Sequence, residues 1–473
     1  MEALVIDLTH GGILISEELL KLGFSRVYAY DIYNTLKDID RIRLIDEGVE
    51  LINDLDEFNF HIPSIYEKLY VIFPVHCPVD FSEVSFGNIE VEYFNFHEIN
   101  RVLLKDWDLW RRKNNKFFIE VTGVKGKTST VSLINSILSL ENNVLFLSSL
   151  GSFYNCPESS ILLKKNISIN PTSLVESVNL CNSRNFEDYD YILSECSLGV
   201  SGLSDVSVLT NIVDNYSIAK GTKTACDAKR QVFNSKINIC EYETLIEYYP
   251  NEFRENFDKI NSFSLFDSES NVIIDYVNYS VDSTKIKVKY SNIKTIDNKL
   301  INGHLEFNTF APGEYNVLNI LAATTTCLTL NIKTENIIKG MNNFKGIPGR
   351  TVKKEINNSI ILEEINPGLN VKSIKKSIEM VNKLDNYTIL LGGKYGVTCE
   401  EIDEEELVSF LEEKIKDKTN IILTDELGKN IHKKLNYELP YYEDYNEILD
   451  LLIKNEKNVL FIYRSNYSDL DKR

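Results

Sequence analysis

Residues 118–130 read FIEVTGVKGKTST, an apolar strand followed by a turn with two glycines and the start of a helix. Backbone amides in such a turn, and the helix N-terminus behind it, point toward phosphate oxygens. A lysine there neutralises phosphate charge and a following hydroxyl reaches Mg²⁺, which makes Lys127 and Thr128 candidates for these tasks. The alternative is a chance glycine turn before a helix, because Val121 stands where the general phosphate-loop pattern has its first glycine.

Length and charge limit the kinds of protein that this chain can be. A chain of 473 residues with a hydrophobic fraction of 43% can bury several cores. Its length favours about two to four domains. The 70 acidic residues outnumber the 51 basic ones and give a formal net charge of −19. Such a charge repels polyphosphate backbones, and no run of Lys and Arg forms a basic patch, so we expect no nucleic acid partner.

The cysteines and the apolar segments predict the compartment. The eight cysteines are scattered without a CxxC pair, which indicates reduced thiols. The N-terminus lacks a basic region and soon reaches Asp7, unlike a secretory signal peptide. No apolar stretch approaches the roughly 20 residues that a membrane span needs. We therefore expect a soluble, cytoplasmic protein with no membrane partner.

The N-terminal region is predicted to be a Rossmann-like domain. An apolar run from Leu4 to Leu8, an amphipathic stretch from Ile15 to Leu22 and an apolar run from Val27 to Tyr30 indicate a β-α-β unit. The turn reads THGG at 9–12 instead of GxGxxG, so dinucleotide binding is not expected. A polar stretch from Lys105 to Lys116 marks the first domain boundary.

Two further α/β domains are predicted to follow. From Phe117 onward, apolar strand candidates alternate with helical patterns, which is typical of parallel sheets covered on both faces. Alternating segments between about Ser262 and Phe310 predict an antiparallel insertion or edge, and GIPGR at 346–350 ends a helix and suits a hinge. The predicted fold is α/β with three domains: a Rossmann-like substrate domain at 1–112, a phosphate-loop ATPase domain with a parallel sheet at 113–348, and a Rossmann-like domain at 349–473.

The loop and several later segments resemble the Mur ligase superfamily. TGVKGKT at 122–128 is similar to its Thr-Gly-Thr-x-Gly-Lys-Thr motif, with Val124 in place of the second Thr. SECS at 194–197 resembles Glu-x-Ser-Ser, and the segment from LTNI at 209–212 to AKRQVF at 228–233 resembles Thr-Asn-x, Asp-His and Ala-Lys-x-x-x-Phe. The matches run in order from about Phe117 to the end of the chain.

This resemblance implies an ATP-dependent ligase that activates a substrate carboxylate as an acyl phosphate and uses Mg²⁺. It assigns Thr128 and Glu195 to Mg²⁺, which prefers hard oxygen ligands. It also implies that Lys229 is carbamylated and holds a second metal ion. Asn215 stands where the superfamily has a histidine, so a simple salt-bridging Lys229 remains the alternative.

The resemblance implies further nucleotide contacts toward the C-terminus. GEYNVLN at 313–319 is similar to the adenine-binding Gly-x-His-Asn-x-x-Asn, although Asn316 could instead cap a helix. Arg350 corresponds to the hinge arginine that swings onto the phosphates, EEINPG at 363–368 to a ribose-binding segment, and LLGGK at 390–394 to Leu-Gly-Gly-x-Lys. The implied catalytic residues are Lys127, Glu195, Lys229, Arg350 and Lys394, and the implied metal ligands are Thr128, Glu195 and Lys229. The implied nucleotide-binding residues are Thr122, Gly123, Val124, Lys125, Gly126, Lys127, Thr128, Ser129, Asn316, Asn319, Arg350 and Glu364.

Within the superfamily, three short stretches resemble the coenzyme F(430) synthetase family of methanogenic archaea. They are VIDLTHGG at 5–12, DIY at 31–33 and PVHCP at 74–78. The resemblance implies a nickel tetrapyrrole substrate, 15,17(3)-seco-F(430)-17(3)-acid, whose activated carboxylate forms a carbon–carbon bond within the same macrocycle to give coenzyme F(430), ADP and phosphate. His10, His76 and Cys77 either approach the nickel, since imidazole and thiolate ligate Ni²⁺, or only fill strand ends and turns.

Two other functions remain open from the sequence. One is a pseudomurein peptide ligase that adds an amino acid. No Asp-Asn-Pro-Arg-like motif for reading a diamino acid is found in the C-terminal region, which weakly favours the intramolecular reaction. The other is a non-catalytic nucleotide-binding switch, which would not need Glu195, Lys229 and Arg350 together.

Overall fold

The computed structural model describes most of the chain as two compact units. The first unit comprises Met1–Asp275, Lys287–Leu305 and Leu318–Met341, and the second comprises Tyr276–Ile286, Glu306–Val317 and Asn342–Arg473. The described residues are 1–55, 68–81, 84, 86, 89–165, 167–280, 282–382, 387–397, 401–416, 420–465 and 470. No helix among them is long and apolar enough to span a bilayer.

The N-terminal sheet is fully parallel, with the strand order β3-β2-β1-β4-β5. Alternate residues of its central strand β1 belong to different cores: Ala3 and Val5 pack on one face, and Leu4 and Ile6 on the other. This alternation buries both faces of the sheet, as a parallel sheet requires. The strands are β1 (Glu2–Ile6), β2 (Arg26–Tyr30), β3 (Glu50–Ile52), β4 (Lys68–Phe73) and β5 (Glu90–Asn95), and the helices are α1 (Gly12–Lys21), α2 (Asp38–Glu47), α3 (Asn100–Leu103) and α4 (Lys105–Lys113).

The central sheet has the strand order β18-β17-β16-β15-β14-β11-β6-β10-β7-β8-β9, and β12 pairs with β13 separately. Its middle strands from β15 to β7 are parallel, whereas β8 and β9 add an antiparallel edge. The first strands are β6 (Phe117–Thr122), β7 (Val144–Ser148), β8 (Gly151–Cys156), β9 (Ser159–Lys164), β10 (Tyr191–Glu195), β11 (Val206–Leu209), β12 (Ser217–Ile218) and β13 (Lys223–Thr224). The later strands are β14 (Ile237–Glu241), β15 (Ile260–Ser264), β16 (Val272–Asn278), β17 (Thr284–Lys294) and β18 (Leu300–Thr309).

Helices follow most of these strands. They are α5 (Lys127–Leu138), α6 (Ser173–Ser183), α7 (Ala225–Lys229), α8 (Tyr242–Tyr248), α9 (Pro250–Glu255), α10 (Glu314–Thr329) and α11 (Thr334–Asn343). Three 3₁₀ turns lie at Ala219–Gly221, Arg230–Asn234 and Phe257–Lys259.

The C-terminal sheet lies in the second unit and has the order β19-β20-β24-β21-β22-β23. Only β19 is antiparallel to its neighbour. The elements are β19 (Arg350–Ile356), β20 (Ser359–Ile365), α12 (Val371–Asn382), β21 (Tyr387–Gly393), α13 (Glu404–Lys416), β22 (Ile421–Thr424), α14 (Asp425–Lys434), β23 (Tyr441–Tyr442), α15 (Tyr445–Lys454) and β24 (Asn458–Arg464). The α/β class with parallel sheets and a Rossmann-like start is confirmed, and the three domain boundaries stay a prediction.

One local expectation needs correction. The segment after Ser262 is not uniformly antiparallel, because β15 pairs with β16 in parallel. Helix α11 ends just before GIPGR, as predicted, and Arg350 starts strand β19. The polar stretch from Lys105 to Lys116, predicted as a domain boundary, is mostly helix α4, which buries Trp107 and Arg111.

A buried ion pair explains why α4 is a fixed helix. Arg111 is fully buried, and its guanidinium donates to Asp205 Oδ2 at 2.7 Å and to the Leu203 carbonyl at 2.6 Å. Asp205 Oδ2 also accepts from the Phe118 amide at the start of β6. Arg111 therefore fastens the end of the N-terminal region to the strand that leads into the glycine turn.

Replacing Arg111 tests this anchor. Arg111→Met leaves the Asp205 carboxylate buried without its main partner, and we expect a loss of about 3–5 kcal/mol in the free energy of unfolding. Lys113→Met is the control, because Lys113 is exposed at the end of the same helix and exposed charges contribute about 0–1 kcal/mol. Urea unfolding followed by fluorescence measures both. Equal losses in the two variants would contradict the anchoring role of Arg111.

Candidate functional site

The predicted motif residues converge because their strands are neighbours. Strand β6 lies between β10 and β11, and all three run parallel. Parallel strands end at the same edge of a sheet, where ligands bind in open α/β folds. Glu195 ends β10, the glycine turn follows Thr122 at the end of β6, and Thr210 follows β11. Segments far apart in the chain thus meet at one edge.

The turn at 123–128 has two positions that require glycine. Gly123 and Gly126 have φ angles of 146° and 83°, which side chains disfavour. A Cβ atom on Gly123 would lie 1.9 Å from Thr210 Oγ1, and one on Gly126 would lie 2.0 Å from Asn319 Oδ1. Asn319, expected at the adenine, therefore packs against the phosphate loop. The loop is held closely on both sides.

The Thr-Asn segment holds the loop by hydrogen bonds. Thr210 Oγ1 donates to the Lys125 carbonyl at 2.6 Å, and Asn211 Oδ1 accepts from the Lys125 amide at 3.1 Å. Lys127 begins α5, and its Nζ donates to the carbonyls of Gly123 and Val124 at 3.0 and 3.3 Å. A cation and a helix N-terminus thus share one rigid loop, which suits a polyphosphate.

Thr128 and Glu195 form an oxygen-rich pair beside the loop. Both are buried, and Thr128 Oγ1 donates to Glu195 Oε1 at 2.7 Å. The Ser149 amide donates to Glu195 Oε2 at 2.9 Å, which orients the carboxylate. A hydroxyl and a carboxylate next to a phosphate loop are ligands of the kind that Mg²⁺ takes, so these residues fit the ion.

Lys229 is a fully buried amine near the same edge. Its Nζ donates to the Ser197 carbonyl at 2.7 Å. Burial lowers its pKa to about 7, and repulsion from Lys127 adds to the effect. A large fraction of this amine is therefore neutral near pH 7. Among the described residues, Lys229 Nζ bonds a backbone carbonyl and no carboxylate, and whether the amine is modified stays a prediction.

Asn215, which stands in place of the superfamily histidine, has a structural task. Its Oδ1 accepts from the Cys226 amide at 2.9 Å, and its Nδ2 donates to Cys226 Sγ at 3.4 Å. These bonds hold the first turn of α7, the helix that ends at Lys229. Asn215 therefore positions Lys229 indirectly.

His97 is a residue that the sequence reasoning missed. It is 3% exposed, and within the described residues neither of its ring nitrogens has a hydrogen-bond partner. Burial lowers its pKa to about 3, and the nearby charge of Lys229 contributes. A buried imidazole is normally satisfied, so His97 faces the Lys229 region with unused nitrogens. Its only sequence signal is its place two residues after β5, at the ligand-binding edge of a parallel sheet.

The residues predicted to contact adenine and ribose lie in the second unit, except Asn319. Asn316 Oδ1 accepts from the Gly313 amide at 3.1 Å at the start of α10, and its role at the adenine stays a prediction. Gly313 and Tyr315 line a cavity of about 450 Å³, together with residues of α12. The Tyr315 hydroxyl donates to Glu364 Oε1 at 2.8 Å, and Thr351 also bonds this oxygen. Glu364 is therefore already engaged by protein groups, and burial raises its pKa.

Arg350 and Lys394 lie at strand ends of the same unit. Arg350 is half-buried at the start of β19. Lys394 is exposed directly after β21, and its carbonyl accepts from Arg464 Nη1 at 2.9 Å. The structure therefore brings Lys127, Thr128, Glu195 and Lys229 to one edge in the first unit, whereas these two cations belong to the second.

Comparison with known proteins gives the family. Residues 353–466 match the family model "Coenzyme F430 synthetase CfbE, C-terminal domain", and residues 121–327 match "Mur ligase middle domain". The chain is 30% identical over 460 residues to coenzyme F(430) synthetase of Methanocaldococcus jannaschii, covering 96% of this chain and 98% of that protein. This chain belongs to the coenzyme F(430) synthetase family.

Solved structures support the fold of this synthetase family member. MurF from Acinetobacter baumannii has a TM-score of 0.57 at 16% identity, with 84% of this chain and 82% of that chain covered. A pseudomurein peptide ligase type C from Methanothermus fervidus has a TM-score of 0.52 at 15% identity, with 99% and 98% covered. Both likenesses concern the Mur ligase fold.

Gly126→Ala tests the loop against a matched glycine. A methyl group there would collide with Asn319, and the backbone would be strained by about 1–3 kcal/mol in the loop shape that we expect to bind phosphate. If the loop leaves this shape, ATP affinity should fall roughly fivefold to hundredfold. Gly48→Ala is the control, because Gly48 has a φ of 98° and nothing within 4 Å of the added Cβ. Calorimetric titration with a non-hydrolysable ATP analogue measures both variants. Unchanged affinity in Gly126→Ala would remove the loop from the nucleotide site.

Proposed function

We propose that this chain is a coenzyme F(430) synthetase. It uses ATP to activate the carboxylate of 15,17(3)-seco-F(430)-17(3)-acid, a nickel tetrapyrrole, and closes a carbocycle within the same molecule. The observation that carries the proposal is family membership along nearly the whole chain, joined to a phosphate loop that is built at a sheet edge. ADP and phosphate are the other products.

ATP would be held by the loop and α5. The amides of 123–128 and the Lys127 ammonium group would bind the β- and γ-phosphates. Thr128 and Glu195 would hold Mg²⁺, which neutralises phosphate charge when bound. Asn316 and Asn319 keep their predicted roles at the adenine, and Arg350 and Lys394 keep theirs in phosphoryl transfer.

The chemistry has two balanced steps. A carboxylate oxygen of the substrate attacks the γ-phosphorus, the bond from this phosphorus to the β–γ bridging oxygen breaks, and ADP leaves. A carbon of the macrocycle then attacks the acyl carbon, phosphate leaves with its bonding electrons, and the attacking carbon loses a proton. Because nucleophile and electrophile belong to one molecule, positioning alone supplies a high effective molarity. Lys127 stabilises charge in the first step.

Lys229 would be a carbamate in the active protein. A neutral amine attacks CO₂ and releases a proton, and the product is a carboxylate-like group where the chain has a lysine. The low pKa of the buried Nζ supports this reaction near pH 7. The carbamate oxygens would also accept from a ring N–H of His97, whose nitrogens have no other partner among the described residues. They would be able to hold a second metal ion as well.

The alternative is a pseudomurein peptide ligase. Its support is the shared fold along almost the full length of both chains. Such an enzyme would need a separate amino acid and would form an amide instead of a carbon–carbon bond.

The decisive experiment combines substrate and site variants. Incubation with ATP, Mg²⁺ and the nickel seco acid should change the chromophore, with one ADP released per ring closed. Lys127→Ala and Glu195→Gln should lower the rate on the order of 100-fold or more, because each removes charge stabilisation at the transferred phosphoryl group. Lys113→Ala, in α4 away from the loop, should leave it unchanged. An unchanged spectrum, with ADP release driven instead by an amino acid and a peptide precursor, would establish the alternative.

Carbamylation of Lys229 predicts a dependence on bicarbonate and pH. After removal of CO₂, activity should be low and should return with bicarbonate, increasingly so as pH rises through about 7, because only the neutral amine reacts. Lys229→Ala should be inactive and partly rescued by formate or acetate, which can replace the lost carboxylate. Lys220→Ala, at an exposed lysine in the 3₁₀ turn that precedes α7, is the control. Native mass spectra without added CO₂ mass, and activity indifferent to bicarbonate, would show a plain amine.

A further inference from the structure

A second cluster of polar groups lies at the edge of the N-terminal sheet. Asp7 directly follows β1, and His76 follows β4. Strand β4 pairs with β1, and the strand order of the sheet reverses between these two strands. This reversal point is where open α/β sheets bind ligands. One ligand atom each from Asp7, His10 and His76 lies within 4.8 Å of the others. The cluster is separate from the phosphate loop and has no part in the steps above.

Asp7 orients His10 and leaves one of its ring nitrogens available. The carboxylate is fully buried; Oδ1 accepts from the Thr9 amide at 2.7 Å, and Oδ2 lies 2.5 Å from His10 Nδ1. Because a carboxylate only accepts, Nδ1 donates to Asp7, and Nε2 is the ring nitrogen that this bond leaves available to a ligand. A histidine that donates one N–H to a carboxylate is the usual arrangement behind a metal ligand. His10 is 47% exposed, so a large ligand can reach it.

His76 completes a pair of imidazoles. Its ring meets that of His10 edge to face at 4.6 Å, and its Nε2 lies 4.0 Å from Asp7 Oδ2. Cys77 is not a member of the cluster, which within the described residues consists of Asp7, His10 and His76. The pair is therefore His10 and His76, without Cys77.

The backbone around the cluster is fixed in an unusual shape. Asp7 has a φ of 76°, which is rare for a residue other than glycine. Gly12 passes so close that a Cβ would lie 2.0 Å from the Asp7 carbonyl, and one on Gly11 would lie 2.2 Å from Thr172 Oγ1 of the central region. The turn that carries His10 is thus packed from both sides. Strain held in this way is typical of binding sites.

A cleft in the first unit adjoins the cluster. It has a volume of about 600 Å³ and is lined by Val75, the neighbour of His76, and on the other side by Lys223 and Arg230. Arg230 pairs with Glu252, and Asp227, also in the lining, is engaged by Thr224. The cleft therefore offers room and the cation of Lys223 to a ligand that carries carboxylates.

We propose that His10 and His76 form a site for a transition-metal centre, with Asp7 as the positioning carboxylate. Neutral imidazoles suit nickel and similar ions. The centre is either the nickel of a tetrapyrrole seated in the adjoining cleft or a free divalent ion, since an imidazole nitrogen coordinates both. If the proposed function holds, the first source applies, and this inference then rests on that function. The N-terminal region would thus recognise the substrate by its metal.

Binding spectra test the site without ATP. The nickel seco acid should change its absorption spectrum on binding as imidazole enters an axial position. His10→Ala and His76→Ala should abolish this change and weaken binding by about 10- to 100-fold. Asp7→Asn should leave both imidazoles in place but weaken the spectral change. If Asp7 only stabilised the fold, this substitution would not alter the spectrum of the bound substrate. His304→Ala, an exposed histidine of β18, is the control for folding and spectrum.

Two further arms identify the source of the metal. A nickel-free analogue of the substrate should bind the wild type and His10→Ala alike. If the site takes a free ion, calorimetry with Ni²⁺ alone should show tight binding to the wild type and none to His10→Ala. That outcome would support the site and exclude the tetrapyrrole as its source of metal. If neither nickel form depends on His10 and His76, the site is wrong. Turnover of the seco acid by the wild type is scored separately, so that failure of the proposed function is told apart from failure of this site.

Discussion

The close packing of the glycine turn at 123–128 is the constraint on which the rest of the site depends. Gly123 and Gly126 adopt backbone angles that other residues avoid, and Thr210 and Asn319 occupy the space where side chains would lie. The turn therefore has one shape, and α5 starts from it at a defined place. Because β6 lies between β10 and β11, that shape also sets the Thr128 hydroxyl 2.7 Å from Glu195. Preorganised groups of this kind need little rearrangement when charge develops on a phosphoryl group.

Burial controls the electrostatics around this loop. The chain has a net charge of −19, yet two lysines lie close together at the sheet edge. Lys127 is turned onto loop carbonyls, and Lys229 is withdrawn from water. The free energy cost of burying an ammonium group falls if the amine loses its proton, so Lys229 titrates near neutrality. His97 lies in the same region as a neutral imidazole. The site thus holds nitrogen groups whose charge depends on what binds beside them.

The N-terminal sheet has a nucleotide-binding fold without the glycine-rich loop that such a fold uses. It has the strand order of a nucleotide-binding domain, but the turn after β1 carries Asp7 and His10 in place of a glycine-rich loop. Helix α4 joins this sheet to the central one through the buried Arg111 and Asp205 pair. The ligand edge of the first sheet and the cleft beside Lys223 therefore belong to one compact unit.

The sequence by itself determined the elements and the local chemistry. Apolar runs predicted alternating strands and helices from Phe117 onward, because buried parallel strands are nearly continuous in hydrophobic residues. The glycine turn was found from its local spacing, and Glu195 and Lys229 from the resemblance of their segments to Mur ligase motifs. Weak strands such as β8, β9 and β23 were missed, since their pairing depends on neighbours rather than on their own pattern. Only the tertiary structure decided that Asn319 packs on the loop, that His97 approaches Lys229, and that Asp7, His10 and His76 meet. These contacts join residues at the ends of different strands. Such ends meet because of the order of strands in the sheet, and long-range packing, not a local sequence pattern, sets that order.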